Sequence, residues 1–201
     1  MPAPIALLGA GALYEAAVAT LTVIGVATGV IAADELINEK EKDRAGATTA
    51  DSTRPCDKCP AIPKVASGME YFTGKKKSRD YQMRICGTYS ERESDGRYKI
   101  QAFIFSDFRL SNPKKVVSFD GWKPERCLFL EAKGEYDQFF KNGEPWYSKA
   151  EDSINQAGRQ QIAIDLCENI PRCHWHFMEP VSYRYYKREF LKFPDITVFH
   201  T

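Results

Sequence analysis

The 201-residue sequence has only 3 His and no excess of one charge: 28 Lys and Arg stand against 27 Asp and Glu, for a formal net charge of +1. A balance this even points to no partner by itself. No Lys or Arg precedes the first apolar stretch, so that stretch does not read as a secretory signal with a basic start. There is no internal repeat, which excludes a repeat array. There is no second close cysteine pair either. Cys56 and Cys59 form a CxxC, which is half of a zinc site. A four-cysteine zinc site is thereby excluded, and a mixed one would have to recruit Cys167 and Cys173 with His174 and His176. Otherwise Cys56 and Cys59 are expected as a disulfide or as two thiols. A chain this long does not need disulfides to fold. The scattered Cys86, Cys127, Cys167 and Cys173 read as small core residues.

The composition, 43% hydrophobic and 27% charged, is that of a folded protein. Charge is unevenly distributed. Residues 1–59 carry 5 Lys and Arg against 8 Asp and Glu, and residues 60–201 carry 23 against 19. The later part is mildly basic, which suits a polyanionic partner. Residues 4–33 are almost wholly apolar, and their uninterrupted part, 16–33, is long enough for a short membrane-spanning helix. Its Gly, Ala and Val content equally suits a helical hairpin buried against a protein partner. Residues 34–55 are charged and small and read as a short helix running into a linker, with a domain boundary near Cys56.

Beyond the linker the periodicity is mixed. RDYQMRIC (79–86) fits a short helix. YKIQAFIFS (98–106), KVVSF (115–119) and RCLFLEAK (126–133) fit strands, the last two joined by the turn-like DGWKPE. Residues 148–170 fit a helix stopped by Pro171, CHWHFME (173–179) alternates, 180–193 start a helix at a Pro, and ITVFH (196–200) is a last strand. This order predicts an α/β fold with a mixed central sheet flanked by helices, preceded by the apolar helical segment.

One stretch carries chemistry. On a strand over 126–133, side chains alternate, so Leu128, Leu130 and Ala132 face a core while Glu131 and Lys133 share the other face at the strand end. Asp120 ends the preceding strand, and a hairpin would bring it to Glu131. Two carboxylates, with the Ala132 carbonyl as a further oxygen ligand, suit Mg²⁺ or Mn²⁺. Such a cation lowers the pKa of a bound water and neutralises charge on a phosphate. The lysine would position or deprotonate that water or stabilise the transition state. By spacing alone a surface ion pair with a turn aspartate fits as well.

Ordered motifs extend this stretch. Cys56-Asp57-Lys58-Cys59-Pro60, Tyr81-Gln82, Phe119-Asp120-Gly121, Leu130 to Asp137, Gln156 and Gln160, then Trp175 and Phe177 follow one another in the chain. In this order, over roughly residues 56–200, the chain resembles the restriction-endonuclease-fold (PD-(D/E)xK) toxin domains of bacterial polymorphic toxins and type VI secretion effectors, most of all the fifth such family. Where that family carries a Glu-rich strand before FDG, this chain has SDFRLSNPKK. The resemblance implies a toxin domain over 56–201 with metal-dependent DNase activity and a cognate immunity protein. It implies secretion by a type VI system and action in the cytoplasm of a recipient bacterium. Asp120, Glu131, Lys133 and Gln160 would then be catalytic, with Asp120, Glu131 and Ala132 holding the metal.

Gln156 and Gln160 share a helix face. Gln160 either touches the phosphate or a water, or lies on a solvated face. Gln82, Gln156 and the run Lys75, Lys76 and Lys77 are candidates for contacting DNA, although a solvated basic loop explains the lysines equally. His174 and His176 either bind metal or pack. Tyr183, Tyr185 and Tyr186 either stack on bases or belong to the core. Residues 1–55 would contact a delivery chaperone, a secretion-spike protein or the recipient membrane. An alternative reading makes the protein a membrane-permeabilising toxin acting through 4–33, and a third makes it a non-catalytic nucleic-acid-binding module.

Overall fold

The computed structural model describes residues 58–112 and 114–201. The apolar segment, the linker, Cys56 and the boundary near it lie outside the described residues. No helix among the described residues is long and apolar enough to cross a membrane.

Two sheets share one continuous stretch of chain. In the first, β3 (Tyr98–Ser106) is central. Its Ile100 and Ala102 are buried on one face and Phe105 on the other, so the alternation read from the sequence holds in the first half of the strand and the opposite face is covered toward its end. β1 (Val65–Phe72) covers one edge of β3, antiparallel from Val65 opposite Phe105 to Phe72 opposite Tyr98. β2 (Ser90–Arg92) and β4 (Val116–Phe119) share the other edge. The second sheet runs β10 (Ile196–His200), β9 (Arg172–Phe177), β6 (Leu128–Lys133), β5 (Gly121–Lys123). β6, β9 and β10 are parallel, and β5 is antiparallel to β6. β4 passes through Asp120 directly into β5. The segment expected as a turn therefore stays extended across Gly121–Lys123 and ties the two sheets together. The turn comes later, at Pro124–Arg126 and Cys127, where φ is positive.

Both faces of β6 are covered. Leu128, Leu130 and Ala132 pack with Tyr81 and Cys86 of α1 (Lys76–Cys86), one turn longer than the sequence pattern suggests. Two glycines let this helix lie close. A Cβ on Gly121 would come within 2.9 Å of the Cys86 Cβ, and one on Gly134 within 2.8 Å of the Ser78 Cα. On the other face lies α2 (Lys149–Asp165), whose Ala157, Ala163 and Ile164 join Phe129, Trp175 and Phe177 in the main core. α2 ends six residues before Pro171. Glu168 and Asn169 adopt positive φ, and the Asn169 N–H returns to the Ile164 carbonyl, closing the helix without help from the proline.

α3 (Pro180–Glu189) begins at its proline as expected. Asp137 caps it, accepting hydrogen bonds from the Val181 and Ser182 N–H groups and from Ser182 Oγ. This fixes the loop that follows β6.

The cysteine expectation needs correction. Cys59 bonds to Cys127, across 68 residues, rather than to Cys56 or as a thiol, and Cys127 is therefore a cross-link as well as a core residue. Cys86, Cys167 and Cys173 are buried thiols. Spacing favoured the local pair, but Cys59 and Cys127 lie 68 residues apart and only the fold brings them together.

Candidate active site

The junction of β4 and β5 places Asp120 opposite β6, because Gly121 pairs with Leu130. Asp120 Oδ2 accepts the Ala132 N–H at 2.9 Å, and Oδ1 accepts Gln82 Nε2 at 2.9 Å. Ala132 thus enters the site through its amide, and Gln82 reaches in from α1. Glu131 is buried on the opposite side of β6 from Leu130 and Ala132. Its Oε1 accepts Lys133 Nζ at 2.6 Å and Gln156 Nε2 at 2.8 Å, and its Oε2 accepts Gln160 Nε2 at 2.9 Å. Gln156 closes a triangle by accepting Lys133 Nζ on its Oε1 at 3.0 Å.

The charges are coupled. Burial, and then the adjacent Glu131 carboxylate, hold the Asp120 carboxyl well above the usual carboxylate range, against the opposing pull of Lys133 and the Ala132 N–H. For Lys133, burial works downward, but Glu131, Tyr136 and Asp120 outweigh it and hold the ammonium above its ordinary value. Lys133 is therefore a fixed cation. Its Nζ lies 4.8 Å from the Trp175 ring centroid and 5.8 Å from that of Tyr136, so aromatic faces complete its surroundings. Burial, with Glu131 and Asp120 nearby, pushes the Cys173 thiol up, and burial with Asp120 and Glu131 does the same to Cys86. Neither has the character of a thiolate nucleophile.

Gln160 differs from both of its sequence readings. It is fully buried and every polar atom is engaged: Nε2 donates to Glu131 and to the Ser118 carbonyl, and Oε1 accepts Trp175 Nε1 at 2.8 Å. It neither lies on a solvated face nor has an atom left for a phosphate or water; it orients Glu131. The register of β6 with β9, Glu131 opposite Trp175, makes this bridge, and that register is invisible to spacing. Replacing Gln160 with Leu leaves Trp175 Nε1, the Ser118 carbonyl and Glu131 Oε2 each one partner short. The expected loss is about 3 kcal/mol of stability, measured by chemical denaturation. A loss under about 0.5 kcal/mol would mean that surrounding groups replace the bridge.

The remaining candidates separate. Lys75, Lys76 and Lys77 are exposed at the start of α1. That end abuts the turn after Lys133, since Ser78 Oγ donates to the Gly134 carbonyl at 3.1 Å and to Glu135 Oε2 at 2.9 Å. His174 and His176 pair with Leu130 and Ala132 and so lie on the face of the sheet away from Glu131. They pack on Phe199, and burial pulls both imidazoles down to about 4. Tyr186 is core, while Tyr183 and Tyr185 are half-buried against His200 and Phe140. Among the described residues no cluster of three or more His, Cys, Asp or Glu is placed to hold a metal ion. The oxygen donors that meet are the two carboxylates, Asp120 and Glu131, with the fixed cation of Lys133 beside them.

A family model described as restriction endonuclease fold toxin 5 matches residues 78–180, just over half of the chain. The matched span holds Gln82, Asp120, Glu131, Lys133, Gln156 and Gln160. No curated protein matches the chain.

Proposed function

From the premise that this chain belongs to the restriction endonuclease fold toxin 5 family, and is a toxin of that fold, we propose that it is a metal-dependent deoxyribonuclease acting on a recipient bacterium. The observation that carries the reading is the meeting of Asp120, at the junction of β4 and β5, with Glu131 and Lys133 at the end of β6. Asp120, half-buried, stands beside the buried Glu131, and desolvation first and then repulsion by the Glu131 charge raise its pKa. Hard oxygen donors under that repulsion suit Mg²⁺ or Mn²⁺. When bound, such a cation supplies an activated water and neutralises charge on the phosphate oxygens.

The chain's own residues do the rest. Asp120 and Glu131, with the Ala132 carbonyl as a further oxygen ligand, would hold the cation, and Gln82, Gln156 and Gln160 fix the directions of the two carboxylates. Lys133 presents positive charge toward the non-bridging phosphate oxygens, where negative charge grows in the transition state. Because Glu131 keeps it protonated, charge stabilisation suits it better than removing a proton from water. The exposed Lys75, Lys76 and Lys77 supply phosphate contacts along the DNA. Residues 1–55 serve delivery, through a chaperone, a secretion-spike protein or membrane contact, and secretion follows the type VI route. A cognate immunity protein protects the producing cell.

Purified full-length protein incubated with plasmid DNA is expected to nick and then degrade it with Mg²⁺, and to leave it intact with EDTA. Degradation that continues unchanged in EDTA, with bound metal shown absent by elemental analysis, refutes the metal requirement. Intact plasmid under both conditions, with RNA degraded instead, moves the substrate to RNA.

A further inference from the structure

Resting on the nuclease reading, we propose that Trp146 and Tyr147 form a stacking platform for an unpaired nucleobase near the scissile phosphate. Trp146 is 62% exposed and Tyr147 48% exposed. Single exposed aromatics are ordinary, so exposure alone carries little. What sets this pair apart is its fixation and its place. Trp146 is pinned twice: its Nε1 donates to the Gln138 carbonyl at 3.1 Å, and its backbone N–H to the Phe139 carbonyl at 3.1 Å. The Tyr147 ring stacks on Phe139, centroids 5.8 Å apart and 24° between planes. Phe139 meets Tyr136 edge-on at 5.3 Å, and Tyr136 is the ring beside Lys133 Nζ. A continuous aromatic path thus runs from the surface pair to the site's cation.

The pair follows the short hairpin of β7 (Phe140–Lys141) and β8 (Glu144–Pro145). In chain order the hairpin falls between the strand carrying Glu131 and Lys133 and the helix carrying Gln156 and Gln160. What ties the pair to the site in space is the ring contact of Tyr147 with Phe139, of Phe139 with Tyr136, and of Tyr136 with Lys133. Lys141 and Glu144 on the hairpin are both exposed and offset one another, so the platform offers flat apolar faces rather than charge. Two rings fall far short of the roughly 800 Å² that each partner buries in a stable protein interface. They match a nucleobase, whose π-face stacks on an aromatic ring whatever its sequence. A base stacks on a side chain only when it has left its own duplex stack. The platform therefore assigns a preference for single-stranded or opened DNA over intact duplex.

The experiment measures cleavage kinetics with Mg²⁺ for the full chain, on a single-stranded oligonucleotide and on the same sequence as duplex. Trp146→Ala is expected to raise KM on the single strand about tenfold or more and to move kcat far less, while Trp146→Phe retains most of the affinity. Abasic positions walked through the oligonucleotide should include one where wild-type KM rises by a similar factor and Trp146→Ala adds nothing further. Wild-type KM in a Trp146→Ala/Tyr147→Ala double variant on the intact single strand overturns the proposal, and leaves the rings to a protein partner. A wild-type chain that cleaves neither strand form removes the deoxyribonuclease reading and this inference with it.

Discussion

Lys133→Met should lower the rate of DNA cleavage by about 10³-fold or more at saturating substrate, while leaving the protein folded. Methionine keeps the stem and fills the space beside Trp175, but it removes the cation that, among the described residues, pairs with Glu131. The loss belongs to the transition state: with the ammonium gone, growing charge on the phosphate oxygens loses its nearest side-chain counter-charge. Glu131 keeps Gln156 and Gln160 as donors, so it is not left unpartnered. Lys133→Arg tests geometry separately. It restores charge, but a planar guanidinium cannot occupy the triangle made by Lys133, Glu131 and Gln156, so only partial recovery is expected. Rates within about tenfold of wild type for Lys133→Met would reduce the lysine to a structural ion pair. Circular dichroism and a thermal melt on the same samples separate lost chemistry from lost fold.

The parts of this arrangement that were legible in the sequence are those written in local periodicity. β3 and β10 are found where their alternation places them. Asp120, Glu131 and Lys133 come together because a strand's two-residue period puts Glu131 and Lys133 on one face and a hairpin partner returns Asp120 to them. β1 was not legible: its burial pattern contains no fully buried position, so VASGMEYF shows no clear alternation and is held by its pairing to β3. The three glutamines were visible as candidates but not as what they touch. Gln82 depends on how closely α1 approaches at Gly121 and Gly134, and Gln160 on the pairing of Glu131 with Trp175. Both are properties of packing between segments far apart in the chain. Trp146 and Tyr147 had no pattern to announce them, because an exposed ring in a loop looks the same in sequence as a buried one.

Reducing the Cys59–Cys127 bond should cost about 4 kcal/mol of stability, from the chain entropy released when a 68-residue loop opens in the unfolded state. For a domain of this size that lowers Tm by roughly 10 °C. The folded state should change little, since both sulfurs sit in the main core and a thiol packs there as a small apolar group. Cys127→Ala should therefore melt close to the reduced wild-type protein, and reductant should shift the variant no further. A wild-type Tm that reductant leaves unmoved would show that the cross-link adds nothing to the packing around it. The bond's position also predicts where loosening is felt first. Cys127 directly precedes β6, and its carbonyl accepts the Arg172 N–H at the start of β9, so the strand carrying Glu131 and Lys133 is anchored at that end by the bond and by the sheet together. In a reducing cytoplasm the sheet pairing alone must hold it. Amide hydrogen exchange should accordingly rise at the β6–β9 start on reduction before it rises at the Lys133 end, where Ser78 and Asp137 pin the turn independently of the cysteines.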